Sequence, residues 1–162
     1  MNVITHALLP VLLVAPMLPR ITPRAYYASG GIVAIAGVLP DLLTPHLSLA
    51  ARYSSWSHTV LAWAGFNVFL AVLGLTLHRH RLPRVLLFAS LAYALHLLGD
   101  AFSGGIAWLY PVSTAVIGCR LIPYPYWFFI DAVLLFVALI VFWWLPPTPG
   151  KVATPTMENL KL

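Results

Sequence analysis

The chain has 162 residues, of which 61% are hydrophobic and 8% charged, against about 25% charged in an ordinary soluble domain. This excludes a soluble globular protein and leaves an all-α, polytopic membrane helix bundle. The formal net charge of +5 is no sign of nucleic-acid binding, since the basic residues sit in short loops without a basic stripe interleaved with aromatics. The single cysteine, Cys119, rules out an internal disulfide and any Cys-x-x-Cys zinc or redox motif.

Crossing the hydrocarbon core takes about 20 apolar residues. Five stretches reach or approach that length: 2–19, 26–43, 58–78, 84–103 and 125–145. The first lacks a basic leader and an Ala-x-Ala-like cleavage site and carries Pro10, Pro16 and Pro19. It reads as a retained first helix, irregular near its prolines. The first two stretches are short for full spans.

Segment 104–124 begins Gly104-Gly105 and holds Pro111 and Pro123 among many apolar side chains. It is too broken to span and too apolar for a free loop, so it reads as re-entrant or interfacial. Residues 1–145 form one membrane domain, and 146–162 a Pro-rich cytoplasmic tail, expected to be extended or disordered.

Loop charges orient the bundle. Arg20, Arg24, Arg79, Arg81, Arg84, Lys151 and Lys161 fall on one side, and only Arg52 and Arg120 on the other. The positive-inside rule then predicts a cytoplasmic C-terminus and an external N-terminus.

The few ionisable residues are placed without scatter. His6 lies near the start of the first helix, Asp41 near the end of the second and His58 at the start of the third. His96 and Asp100 lie in the last third of the fourth, and Asp131 about two turns into the fifth. Threading brings all of them to the extracytoplasmic half. His96 and Asp100, four apart, share a helix face. An unpaired carboxylate at that depth costs several kcal/mol. A divalent cation removes the cost, and imidazole with carboxylate suits zinc, with manganese or iron as alternatives.

Plainer readings stand beside this one. An isolated intramembrane His is ordinarily a helix–helix hydrogen-bond partner, and a metal-free His–Asp pair accounts for 96 and 100 alone. His78 and His80 read as solvated and His46 as a surface residue. Asp131 is open between a group behind the metal ligands, a partner for Arg120 and a helix N-terminal acid. Trp108, Tyr110, Tyr124, Tyr126 and Trp127 read as an interfacial belt.

Gly37-Val38-Leu39-Pro40-Asp41, Trp56-Ser57-His58-Thr59, and His96-Leu97-Leu98-Gly99-Asp100 through Tyr110-Pro111 follow one another in that order, after an N-terminal His. This pattern resembles the YdjM-like family of small prokaryotic inner-membrane proteins. The resemblance implies a phospholipase-like, metal-dependent hydrolase with a metal centre from His6, Asp41, His58, His96 and Asp100. A fainter similarity to zinc-dependent phospholipase C enzymes favours phosphoester cleavage. Two positions depart from the pattern: Leu43 stands where relatives often carry a second Asp, and Tyr53-Ser54 where they often carry His-Arg.

On this basis His58, His96 and Asp100 are the expected metal core, and Asp41, His58 and Asp100 the catalytic set. Asp41 serves as a ligand or as general base. His6 completes the shell or holds a second metal bridged by Asp100. Arg120, with Arg52 as the weaker choice, is expected to hold the substrate phosphate, with Ser57, Thr59 and Ser103 adding hydrogen bonds. The expected substrate is a membrane lipid or other amphiphile at the outer leaflet. The rival readings are a transporter or proton relay and a non-catalytic metal-binding scaffold. Oligomeric state is left open.

Overall fold

A computed structural model describes residues 2–20, 22–45, 50–77 and 82–144. His46, His78, His80, Arg79, Arg81 and the tail beyond 145 lie outside the described residues.

Five α-helices follow in chain order: α1 (Val3–Val14), α2 (Pro23–Leu43), α3 (Val60–Leu77), α4 (Leu82–Phe102) and α5 (Pro125–Trp144). Short 3-10 turns cover Ala15–Met17, Ala50–Ser54 and Trp56–His58. The described residues are helical throughout their regular structure, with two isolated bridges, Ser103 to Arg120 and Ile106 to Ile117.

Among the described residues, four helices are long and apolar enough to cross a membrane, namely Pro23–Leu43, Val60–Leu77, Leu82–Phe102 and Pro125–Trp143; Val3–Met17 is shorter. The expectation of a short second span is therefore corrected. Thr22 caps α2 by accepting from the Ala25 amide at 3.1 Å, and Pro23, with no N–H to satisfy, starts the helix earlier than hydropathy suggested. The first segment departs in the other direction. Its 12 helical residues measure about 18 Å, and Pro16 and Pro19 end it. His58 also sits just before α3, in the 3-10 turn, because Thr59 is the residue that caps that helix: its Oγ1 accepts from the Ala62 amide at 3.0 Å.

α4 is the hub. It packs against α1, α2 and α3, and its buried positions include Val85, Ala89, Ala92, Tyr93, His96 and Asp100, an i, i+3, i+4 stripe. Ala89 and Ala92 in that stripe let neighbouring backbones approach closely. α3, by contrast, fully buries only Leu70; Trp63, Phe66 and Leu73 are half-buried against the core, while Leu61, Val68, Phe69, Val72 and Leu75 are exposed, as lipid contact permits.

Segment 104–124 is non-helical, as expected, and folds back over the end of α4. Gly104 and Gly105 take positive φ, 146° and 94°, which reverses the chain directly after the helix. The Cys119 and Leu121 amides then donate to the Ala101 and Phe102 carbonyls at 2.8 and 3.0 Å. These are carbonyls that the helix end would otherwise leave unpaired. Ile106 and Ala107 are buried inward, while Val112, Ile117 and Leu121 are exposed, the amphipathic division of an interfacial element.

Where α1 crosses α2, a Cβ on Gly37 would lie 2.2 Å from the His6 carbonyl oxygen. Gly37→Ala therefore has to push α1 away. The expected loss is about 1–3 kcal/mol, read as a lower unfolding midpoint in detergent; an unchanged midpoint would show that the crossing is slack.

Candidate metal centre

Three separate pieces of chain supply the centre: the end of α2, the turn before α3 and the last third of α4. Each is held by hydrogen bonds to the others. Ser57 Oγ donates to the Pro40 carbonyl at 2.7 Å, and Thr44 Oγ1 bonds both Ser55 and Ser57. Tyr93 on α4 donates its hydroxyl to the Ser57 carbonyl at 2.6 Å. These contacts fix the 56–58 turn against α2 and α4, and with it the His58 ring.

Side-chain orientation is set in the same way. His96 Nδ1 lies 2.7 Å from the Gly37 carbonyl oxygen. A carbonyl only accepts, so Nδ1 donates there, which directs Nε2 toward the centre. His58 Nδ1 contacts Ser55 Oγ at 2.8 Å and Ser57 Oγ at 3.2 Å, which turns its Nε2 toward the same point. Burial lowers the His58 pKa below its ordinary value of 6.5, against the opposing pull of the Asp41 hydrogen bond. The ring is therefore neutral at pH 7, the state in which imidazole binds metal.

Around that point, His58 Nε2 lies 3.1 Å from Asp41 Oδ1, 3.1 Å from His96 Nε2 and 3.4 Å from Asp100 Oδ2. His96 Nε2 lies 3.6 Å from Asp41 Oδ1 and 3.3 Å from Asp100 Oδ2. All four residues offer a ligand atom within 4.8 Å of every other. A zinc ion with four bonds of about 2.0–2.1 Å has donor-to-donor edges of about 3.3–3.4 Å. The donors fit such an ion in number, chemistry and spacing.

The outer oxygen of Asp100 faces other partners. His6 Nε2 and Arg52 Nη1 lie 3.2 and 3.1 Å from Oδ1, and the His6 ring stacks on His96 with centroids 3.8 Å apart. Arg52 Nη1 also donates to the Asp100 carbonyl and to Ser103 Oγ, each at 3.4 Å. His6, Arg52, His58, His96 and Asp100 are all buried. Only Asp41, with its side chain 18% exposed, opens to the outside. Leu42, Leu43 and Trp56, which lie close to Asp41 and His58 in sequence, are exposed apolar residues.

The structure thus gathers His6, Asp41, His58, His96 and Asp100, with Arg52 beside them. Arg52 is inside the cluster, while Arg120 is exposed and meets Ser103 through its backbone. Ser57, Thr59 and Ser103 are buried: Ser57 bonds the Pro40 carbonyl and the side chains of Thr44, Ser55 and His58, Thr59 bonds backbone, and Ser103 bonds Arg52 and the Asp100 carbonyl. Asp131 accepts from Asn2 Nδ2 at 2.6 Å and from Thr5 Oγ1, which ties α5 to α1; Arg120 is not its partner in these bonds. Ser55, Thr44 and Tyr93 escaped the sequence reading, as did the role of Gly37 within its motif. The hydroxyl-rich run Ser54-Ser55-Trp56-Ser57 before His58 was the available signal for the first.

A family model described as YdjM inner membrane protein matches residues 1–157. The chain belongs to that family. No curated protein and no solved structure matches it. The family description names a membrane location and no reaction, so the chemistry rests on the cluster itself.

Removing one partner of a buried ion pair strands the other, at about 3–5 kcal/mol. Asp100→Ala is expected to destabilise even the metal-free protein by that amount, and Asp100→Leu with Arg52→Met to recover much of it. Denaturation in micelles with chelator present reads both, and a wild-type midpoint for the single variant would sink the argument.

Proposed function

We propose that the chain is a membrane-embedded, metal-dependent hydrolase that cleaves a phosphoester or related bond of a lipid or other amphiphile. The observation that carries this reading is the set of donor separations: the His58 and His96 Nε2 atoms lie 3.1 to 3.6 Å from each other and from the Asp41 and Asp100 oxygens. Buried His58, His96 and Asp100 would hold the ion, zinc before manganese or iron. A divalent cation there acidifies water and polarises a phosphoryl or carbonyl oxygen.

Asp41 is the group left to move a proton. It is the donor nearest the opening, and as general base it would accept a proton from water, a role worth about 10²–10⁴ in rate. Gly37 and Ser55 keep the two imidazoles aimed, and the exposed apolar side chains of Leu42, Leu43 and Trp56, close to Asp41 and His58 in sequence, suit a substrate whose tails stay in lipid. The excess of basic residues on the opposite side of the bundle supports an extracytoplasmic site in the inner membrane.

One observation favours a second reading. Four protein donors close a tetrahedron, as in structural zinc sites, whereas catalytic sites keep one position open. A metal-holding scaffold would show that arrangement permanently.

Asp41→Asn separates the two. The enzyme reading expects metal retained and hydrolysis reduced at least about 100-fold, and the scaffold reading expects metal lost or weakened and no hydrolysis in wild type. Lipid mass spectrometry of membranes holding wild type or His58→Ala supplies the substrate. If no lipid or polyprenyl-phosphate species differs between them, the hydrolase reading fails.

A further inference from the structure

We infer that the centre takes a single metal ion, because the Arg52 guanidinium occupies, as a built-in cation, the side of Asp100 where a second ion would bind. The inference rests on the metal-centre reading above and concerns the chain's own residues around it.

Asp100 is two-faced. Its Oδ2 lies 3.4 and 3.3 Å from His58 and His96 Nε2, the side of the four-donor cluster. Its Oδ1 lies 3.2 Å from His6 Nε2 and 3.1 Å from Arg52 Nη1. A carboxylate so placed, with a histidine beyond each oxygen, is what a bridged pair of metal ions uses. On the Oδ1 side, however, the positive charge is already present. Arg52 cannot lose its proton, so a dication on the same oxygen would meet a permanent like charge within a few ångströms.

Arg52 is also held in place. Its side chain is 4% exposed, and Nη1 is tied to the Asp100 carbonyl and Ser103 Oγ. Tyr53, next in sequence, donates to the Gly104 carbonyl at 3.3 Å. The 50–54 turn is thus fastened to the end of α4 at two points, and Arg52 does not swing out to meet a substrate. It acts as a positioning residue that leaves Oδ2 as the oxygen available to metal. His6, stacked on His96, orients Asp100 and ligates nothing.

Elemental analysis of the purified, zinc-loaded full-length protein tests this without any assay of turnover. The expected content is one zinc per chain in wild type, one in Arg52→Lys and one in His6→Ala. Arg52→Gln, which keeps a donor but removes the charge, should rise above one toward two at saturating zinc. His6→Ala added to it should return the content to one. Two ions in wild type, or a content of one in folded Arg52→Gln, overturns the inference and leaves the metal-centre reading standing. No bound zinc in wild type overturns both. Should Arg52→Gln fail to fold, loss of all zinc in His6→Ala overturns the inference, because His6 would then be a ligand.

Discussion

A carboxylate placed where Asp100 stands, with its side chain 1% exposed, has lost nearly all of its water. Taken alone, it would carry a penalty that few folds tolerate. Almost everything distinctive about the chain meets that carboxylate. Three imidazoles and a guanidinium come within 3.4 Å of its oxygens, and they arrive from α1, the 50–54 turn, the 56–58 turn and α4 itself. The helices that carry them are packed so that none of these groups has another place to go. Burial of one charge thereby dictates the relative position of most of the bundle.

The means of holding these groups is largely backbone. Gly37 offers its carbonyl to His96, and its missing side chain admits the α1 backbone beside it. Pro40 offers its carbonyl to Ser57 while having no N–H of its own to donate within α2. A short stretch of one helix, Gly37 to Asp41, therefore touches α1, the 56–58 turn and α4. In an apolar solvent this economy is expected, because every carbonyl that leaves the helical pattern needs a partner inside the protein.

How far the sequence disclosed this is uneven, and the unevenness has physical causes. Membrane class, helix count and the gathering of His6, Asp41, His58, His96 and Asp100 at one end were legible, because hydropathy sets spans and spans set depth. Helix ends were less so. Thr22 and Thr59 fix them through caps, a signal of one residue against a background of twenty apolar ones. The roles of Arg52, Arg120 and Asp131 were not legible. Which side chain reaches inward depends on how 50–54 and 104–124 fold, and loops carry no periodicity from which to read direction. Arg52 lies in a tight turn closed over α4, and Arg120 is exposed in a folded-back segment.

Asp131 is the last ionisable group placed within the described helices, and it binds the first. Its carboxylate holds Asn2 and Thr5, so α1, too short to span on its own, is seated by a helix made more than a hundred residues later. The donors of the cluster end at Asp100, so the segments that supply them are all made before α5. α1 already rests on α2 and α4, and the Asp131 carboxylate adds a seat from the other side. A chain interrupted before Asp131 would lack the bonds that tie Asn2 and Thr5 to α5.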